Sequence, residues 1–186
     1  MPRLFAALEI PDDVGRELAS LRGGIPGARW IDPENYHVTL RFIGDIDDVS
    51  AREIAYEMAR IRRKPFEVVL RGLAPFGGNR PRAIIAQVEP SRPLLELQGE
   101  LERLMRRVGL EPEGRKFTPH VTLARLRDTS SQAVADYLSV RGYFPSRAFM
   151  ASRFVLYSSR ASVGGGPYIV EDAYALEGDM SVRGAA

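Results

Sequence analysis

The chain has 186 residues, the length of one compact domain or of two small lobes that share a core. Hydrophobic residues make up 45% and charged residues 27%, a balance that is ordinary for a globular protein and excludes global disorder. There is no cysteine, which excludes disulfide frameworks, thiol nucleophiles, cysteine-ligated zinc and iron–sulfur clusters.

The net charge of +2 conceals an uneven choice of basic residue. Of the 26 basic side chains, all but Lys64 and Lys116 are arginine, against 24 acidic side chains. Guanidinium groups bind phosphate in a planar, two-pronged fashion, so this composition suits phosphate ligands. A genome-wide codon bias also accounts for the arginines, and so small a net charge does not predict avid nucleic-acid binding. Composition therefore leaves the partner open.

The start of the chain carries no sign of export. Met1–Ile10 holds one arginine and a short apolar run, which is too short for the core of a signal peptide. The chain also lacks a stretch of about 18 apolar residues that could span a bilayer. We therefore expect a cytoplasmic protein that has no membrane partner.

Hydrophobic periodicity, turn residues and helix caps predict strands and helices along the whole chain. Leu4–Ile10 is predicted to be a buried strand, and a helix follows from Asp12 or Asp13 to about Arg22. In chain order, the later predicted elements are the strand Tyr36–Ile43, the helix Asp47–Arg63, the strands Phe66–Leu73 and Ala83–Val88, the helix Pro93–Val108, the strand Pro119–Leu126, the helix Ser131–Val140, and the strands Phe149–Ser158 and Tyr168–Leu176.

This order of elements favours an α+β fold with largely antiparallel sheets over a doubly wound parallel sheet, because at least two strand pairs have the spacing of hairpins. Neither a Walker pattern nor a GxGxxG motif occurs between a strand and a helix, so P-loop hydrolysis and dinucleotide redox chemistry are not expected. No linker separates the halves of the chain. We expect residues 1–178 to form a single domain of two interleaved lobes, and residues 179–186 to be a frayed tail.

The two histidines of the chain stand in matching motifs. His37 begins the tetrapeptide His-Val-Thr-Leu, and His120 begins the same tetrapeptide 83 residues later. Residues i and i+2 of a strand share a face, so His37 projects with Thr39 and His120 projects with Thr122. The alternative is two ordinary strand histidines, but a four-residue match makes coincidence a poor explanation. If the halves are related by a pseudo-twofold axis, both pairs converge on one cleft.

Two imidazoles that flank a small pocket suit an in-line displacement at phosphorus. One ring takes a proton from the attacking water, and the other gives a proton to the departing oxygen. The threonine hydroxyls would donate hydrogen bonds to the non-bridging phosphate oxygens. A metal centre needs three or more histidine, cysteine or carboxylate ligands, and two histidines with threonine neighbours supply too few.

The paired motifs resemble those of the 2H phosphoesterase superfamily and, within it, of the RNA 2′,3′-cyclic phosphodiesterase family, formerly called 2′-5′ RNA ligases. The resemblance covers nearly the whole chain. Beyond the two motifs it rests on Leu4–Leu8, Trp30, Arg41–Gly44, Phe117–Pro119 and the hairpin from Ser158 to Tyr168.

The resemblance implies a bilobal fold of two pseudo-symmetric lobes with the active site between them. It implies hydrolysis of a terminal 2′,3′-cyclic phosphate to a 2′-phosphomonoester, with no metal or other cofactor, and reverse 2′-5′ ligation of RNA. His37 would donate a proton to the leaving 3′ oxygen and His120 would accept one from water, a polarity on which the near-symmetric sequence is silent. The implied partners are RNA ends that bear a 2′,3′-cyclic phosphate, tRNA-like fragments among them. We expect a monomer.

Two arginines follow the motifs at unequal distances. Arg41 comes four residues after His37, so strand alternation predicts that it faces the cleft, where it could anchor phosphate; a solvated strand-end arginine is the alternative. Arg125 comes five residues after His120 and falls on the other face unless a β-bulge intervenes. The resemblance implies a basic residue at this second position, so Arg125 is kept as a weaker phosphate contact. Both Arg41 and Arg125 are therefore candidate substrate-binding residues.

Aromatic side chains at the mouth of the cleft could stack on nucleobases. Phe5, Trp30, Phe42 and Tyr157 are candidates, each with a place in the hydrophobic core as the alternative.

Three other functions stay open. The same chemistry could act on another cyclic phosphate or a 2′-5′ oligonucleotide, and base-contacting residues would decide that. A non-catalytic RNA-end binding module is disfavoured, since both histidines and both threonines are intact. A metal-dependent hydrolase would be excluded by full activity in a chelator.

Overall fold

The computed structural model describes residues 3–159 and 165–178 of the chain. Within these ranges lie four α-helices and nine β-strands, and a short 3-10 helix at Pro33–Asn35. In chain order the elements are β1 (Arg3–Glu9), α1 (Asp12–Ala19), β2 (Ala28–Trp30), β3 (His37–Gly44), α2 (Asp48–Met58), β4 (Phe66–Phe76), β5 (Ala83–Val88), α3 (Arg92–Arg107), β6 (His120–Leu126), α4 (Ser131–Arg141), β7 (Arg147–Ala151), β8 (Arg153–Ser159) and β9 (Tyr168–Ala175).

Local chemistry accounts for where the helices begin. Asp47 caps α2 by accepting a hydrogen bond from the backbone N–H of Ser50 at 2.8 Å, and Ser130 caps α4 by accepting one from Ala133 at 3.1 Å. Helix α3 carries a proline in its first turn, where the missing N–H costs no hydrogen bond. Its predicted apolar stripe is buried as expected, at Leu94, Leu97, Leu101 and Leu104.

All nine strands belong to one sheet, and every strand pair in the described ranges is antiparallel. The order across the sheet is β7-β4-β5-β6-β3-β1-β8-β9, and the short strand β2 pairs with β6. The prediction of an α+β fold with largely antiparallel strands is confirmed, including the hairpins β4–β5 and β8–β9.

The sheet has two matching halves that meet between β3 and β6. The succession β1-α1-β3-α2 is repeated by β5-α3-β6-α4. Each half also takes a strand from the other part of the chain, since β4 follows α2 but pairs with β5, and β8 follows α4 but pairs with β1. The division of residues 1–178 into two lobes stays a prediction, and the predicted tail 179–186 lies outside the described residues.

The strand predicted at Phe149–Ser158 is in fact two strands, β7 and β8, separated at Ser152. The two strands have different partners: β7 pairs with β4 at one edge of the sheet, whereas β8 pairs with β1 and β9 near the other edge. A strand cannot continue through such a change of partner. Because one residue separates β7 from β8, the sheet must curl so that its two ends approach each other.

The hydrophobic core lies between the helices and one face of this sheet. Val38 and Val121 belong to it, together with the buried stripe of α3. A smaller apolar cluster occupies the opposite face and consists of Phe5, Ala7, Val155 and Tyr157. The two faces therefore carry separate apolar clusters, a large one that includes the helices and a small one on the opposite face. No helix in the described ranges is long and apolar enough to cross a membrane.

Candidate active site

The two histidine motifs lie side by side at the centre of the sheet. Val38 of β3 pairs with Val121 of β6, and each valine stands between the histidine and the threonine of its own motif. Continued by one residue in either direction, this antiparallel register sets each histidine opposite the threonine of the other motif. Because both valines point into the helix-covered core, their neighbours share the opposite face: His37, Thr39, His120 and Thr122.

Backbone carbonyls set the tautomer of both rings. The Nδ1 of His37 lies 2.9 Å from the carbonyl oxygen of Asn35, and the Nδ1 of His120 lies 2.7 Å from that of Thr118. A carbonyl oxygen only accepts, so each Nδ1 carries the hydrogen and each Nε2 is the basic atom of the neutral ring. The Thr39 hydroxyl lies 3.0 Å from the Nε2 of His37 and donates to it when the ring is neutral.

The surroundings of the two rings are unequal. His37 stands among aromatic rings, with centroid separations of 5.0 Å to Phe5, 5.0 Å to Tyr168 and 5.9 Å to Tyr157. His120 has one such neighbour among the described residues, Phe76, whose ring presents its edge at 4.7 Å. The sequence repeat thus places two identical motifs in different environments, with His37 on the drier side.

Burial lowers the pKa of both histidines. For His37 the pKa falls from 6.5 to about 4, because the positive charges of His120 and Arg125 add to the cost of burying an imidazolium, while the Asn35 carbonyl opposes the fall. The pKa of His120 is lowered for the same reason, again assisted by Arg125 and opposed by the carbonyl of Thr118. In the free protein at neutral pH both rings are therefore predominantly neutral.

Each motif strand contains a β-bulge three residues after its histidine. On β3, Thr39 pairs with Ala7 and Arg41 pairs with Ala6, so Leu40 is an extra residue. On β6, the pairing with β5 passes from Thr122 to Ala124 and leaves Leu123 as the extra residue. An extra residue reverses the alternation of side chains beyond it. The two arginines consequently exchange the faces that simple alternation predicts.

The prediction that Arg41 faces the cleft is wrong. Its guanidinium is buried against α3, where Nε bonds the carboxylate of Glu102 and Nη2 donates to the carbonyl oxygen of Glu111 at 2.6 Å. Arg125, in contrast, is exposed on the histidine face, and its charge acts on both His37 and His120. The bulge that the sequence argument named as the exception is present.

The four aromatic candidates divide clearly. Phe5 and Tyr157 are buried in the small cluster, and Trp30 packs against Tyr137 of α4 at a centroid separation of 5.7 Å. Phe42 is 58% exposed and lies 5.7 Å from the Phe5 ring on the histidine face. Of these four, Phe42 is the most exposed, whereas Trp30 is partly buried.

Sequence reasoning missed two aromatic neighbours of the histidines, Tyr168 and Phe76. Tyr168 begins β9 and reaches His37 across two intervening strands, while its backbone N–H lies 3.4 Å from the side-chain oxygen of Asn35. Phe76 ends β4, two strands away from His120. Both contacts depend on strand order, for which the local sequence holds no signal.

The described residues contain no group of three or more histidine, cysteine or carboxylate side chains placed to bind a metal ion. The prediction that no metal takes part stays a prediction, to be tested with a chelator.

Comparisons with known proteins point to one family over most of the chain. Residues 10–162 match the family model of the 2′-5′ RNA ligase superfamily, a range that includes both histidine motifs and Arg125. The chain is 40% identical to the RNA 2′,3′-cyclic phosphodiesterase of Aeropyrum pernix over 121 residues, which is 61% of this chain and 68% of that protein. It is 30% identical to the protein of the same name from Aquifex aeolicus over 155 residues, 81% and 82% of the two chains.

The fold agrees with a solved structure. The crystal structure of E. coli LigT complexed with 3′-AMP superimposes with a TM-score of 0.76 and 24% sequence identity, and the match covers 95% of this chain and 99% of that one. At that identity the likeness establishes the fold. The match of the family model over residues 10–162, most of the chain, shows that the chain belongs to the 2′-5′ RNA ligase superfamily.

Proposed function

We propose that this chain hydrolyses the 2′,3′-cyclic phosphate at the 3′ end of RNA to a 2′-phosphomonoester, without a metal. The observation that carries the proposal is the placement of two His-Thr pairs on one face at the centre of the sheet, each with a basic Nε2 opposite its backbone-bound Nδ1. The names of the relatives from Aeropyrum pernix and Aquifex aeolicus support the same reaction.

The proposed reaction needs one proton acceptor and one proton donor. Nε2 of His120 accepts a proton from water as the water oxygen attacks phosphorus, and the bond from phosphorus to the 3′ oxygen breaks. Nε2 of protonated His37 gives its proton to the departing 3′ oxygen. One P–O bond forms and one breaks, a 3′-hydroxyl is released, and the two rings exchange protonation states, which solvent then resets.

The family resemblance implies this polarity, and the more open position of His120, which can receive water, supports it. The buried ring of His37 is neutral in the free protein, so it must take up its proton together with the anionic substrate. Binding of an anionic cyclic phosphate between the rings favours their charged forms and raises the pKa of both.

Hydrogen-bond donors on the same face would stabilise the charge that develops on phosphate. Thr39 and Thr122 offer one hydroxyl each beside the histidines, and Arg125 offers a guanidinium on the same face. A donor aimed at developing charge is typically worth about 2.7–4 kcal/mol of transition-state stabilisation. Arg41 has no part in this proposal, because its guanidinium is committed to Glu102 and Glu111.

The partners predicted from the sequence follow from this reaction. RNA ends with a 2′,3′-cyclic phosphate, including tRNA-like fragments, are the proposed substrates, and reversal of the step would join such an end to a 5′-hydroxyl. The cytoplasmic location and the monomeric state stay predictions.

The experiment measures turnover of a short RNA with a 3′-terminal 2′,3′-cyclic phosphate in excess EDTA. His37→Asn and His120→Asn should each lower the turnover rate by at least about 10²–10⁴, the worth of one general acid or base. Tyr143→Ala is the control variant, because this side chain is 91% exposed and lies outside the site. It should keep the wild-type rate.

Wild-type rates in either histidine variant would refute the acid–base assignment. An inactive wild type would refute the RNA substrate, and ribose or nucleotide cyclic phosphates of other kinds would then be assayed on the same three variants.

A further inference from the structure

Two arginines face each other across the short ladder between β2 and β6. Arg29 of β2 is the direct register partner of Arg125 of β6, and both side chains are exposed. Directly opposed residues of an antiparallel pair project from the same face with Cβ atoms about 4.5–5.5 Å apart. The ladder therefore brings two guanidinium groups together beside the histidines.

Several contacts place Arg29 on the histidine face. Its neighbour Trp30 packs against Tyr137 of α4 on the helix-covered side, so strand alternation sends Arg29 to the opposite side. Nη2 of Arg29 lies beside Gly165, 3.4 Å from the position that a Cβ atom on this glycine would occupy. The guanidinium therefore reaches the segment that leads into Tyr168. The ring of Tyr168 in turn contacts His37.

Two guanidinium groups held side by side on the histidine face give that part of the sheet a local positive charge that attracts anions. Phosphate matches the planar geometry of guanidinium. The sequence composition suggested a phosphate ligand in general terms, and this pair gives the suggestion a place in the fold.

The register places both arginines beyond the point where the two histidine motifs meet. Val121 pairs with Val38 within the motifs, whereas Arg29 pairs with Arg125 four residues farther along β6. The charge of Arg125 still acts on both His37 and His120. Arg29 belongs to β2, which flanks β6 on the side opposite to β5. Arg125 can therefore reach a phosphate held between the histidines, while Arg29 is suited to a second phosphate farther along the same face.

We propose that Arg29, beside Arg125, binds the phosphate that joins the last two nucleotides of the substrate, so that the chain prefers an oligonucleotide over a single nucleotide. This rests on the proposed function. A 2′,3′-cyclic phosphate closes the 3′ end of RNA, so every other phosphate lies on its 5′ side, and the nearest is the linkage to the preceding nucleotide.

The test compares two substrates, a nucleoside 2′,3′-cyclic phosphate that carries no other phosphate and a dinucleotide that ends in the same group. Arg29→Gln should raise KM for the dinucleotide about 10- to 100-fold, the usual loss for one hydrogen bond to a charged group, and leave kcat unchanged. KM for the nucleoside substrate should not change, and Arg29→Lys should restore part of the loss. Arg127→Gln, which removes an equal charge from a 94% exposed side chain past the end of β6, is the matched control and should change neither KM.

An equal rise of KM for both substrates would overturn the proposal, because Arg29 would then act on the cyclic phosphate itself or on the fold. No change for either substrate, or the same change in the Arg127 variant, would overturn it as well. The slope of log KM against log salt for the dinucleotide should fall by about 0.7 in Arg29→Gln, the value for one phosphate contact on single-stranded nucleic acid.

Equilibrium binding separates this inference from the proposed function. Calorimetry with the dinucleotide 2′-phosphate and with the nucleoside 2′-phosphate needs no turnover. If the wild type hydrolyses neither cyclic phosphate but binds the dinucleotide more tightly through Arg29, the proposed reaction fails and the arginine site holds. If affinity for the dinucleotide is the same with and without Arg29, the arginine site fails whether or not the protein is active.

Discussion

Replacement of His37 by asparagine should change how the stability of the protein depends on pH. The pKa of His37 is about 4 in the folded chain and 6.5 as an ordinary imidazole, so the unfolded chain takes up the proton first as pH falls. Proton uptake by the unfolded chain destabilises the folded state. The free energy of unfolding therefore falls between about pH 6.5 and pH 4 because of this one group.

The size of the effect follows from the two pKa values. One pKa unit is worth about 1.4 kcal/mol, so the loss at low pH approaches about 3 kcal/mol when the titration is complete. Between pH 7 and pH 5 the expected loss is about 2 kcal/mol. Asparagine does not titrate, so the variant lacks this part of the pH dependence while keeping that of His120 and of the carboxylates.

The assay is urea unfolding of the wild type and of His37→Asn across this pH range, with the difference between their free energies plotted against pH. Between pH 7 and pH 5, the wild type should lose about 2 kcal/mol more of its free energy of unfolding than His37→Asn loses. If the free energies of unfolding of the two proteins change in parallel with pH, His37 titrates near 6.5 in the folded chain. That result would refute the claim that burial among aromatic rings lowers its pKa.

Four further predictions concern activity and stability. Because burial lowers the pKa of both His37 and His120, kcat/KM should peak on the acidic side of neutrality, and an alkaline maximum would contradict this. Arg41→Met should lower the free energy of unfolding by about 3 kcal/mol without raising KM, because it removes the ion-pair partner of the Glu102 carboxylate. A raised KM at an unchanged Tm would contradict this. Arg125→Gln should instead raise KM about tenfold at an unchanged Tm, and an unaltered KM would remove it from the site. Excess EDTA should leave the rate unchanged, whereas loss of activity restored by a metal ion would refute the metal-free reaction.

The histidine site was largely predictable from the sequence because its signal is local. A strand shows residues i and i+2 on one face, so each motif alone pairs His37 with Thr39 and His120 with Thr122. The repetition of the motif then indicates two related halves. Strand types, the antiparallel class and the buried stripe of α3 follow from equally local patterns.

The supporting residues were harder to predict because a bulge is a property of two paired strands. Leu40 and Leu123 look like ordinary alternating residues, and their roles emerge only from the register with β1 and β5. The extra residue on β3 turns Arg41 toward Glu102, and the extra residue on β6 turns Arg125 toward the histidines. The chemistry of a side chain four or five positions beyond a motif therefore depends on pairing that the motif does not encode.

The contacts that Tyr168 and Phe76 make with the histidines could not be predicted from the sequence for a similar reason. Tyr168 and Phe76 reach the histidines only because of the strand order in the sheet. The break at Ser152 likewise follows from the exchange of partners between β7 and β8, although the residues on both sides have ordinary strand composition.

The most direct test of the central claim is to identify the product formed from an RNA with a 2′,3′-cyclic phosphate end in water labelled with oxygen-18. Paired action of His37 and His120 predicts a 2′-phosphomonoester that carries one labelled oxygen on phosphorus, together with a free 3′-hydroxyl. A 3′-phosphomonoester would contradict the assigned direction of bond cleavage. A product without the label would contradict attack by water, and with it the role given to His120.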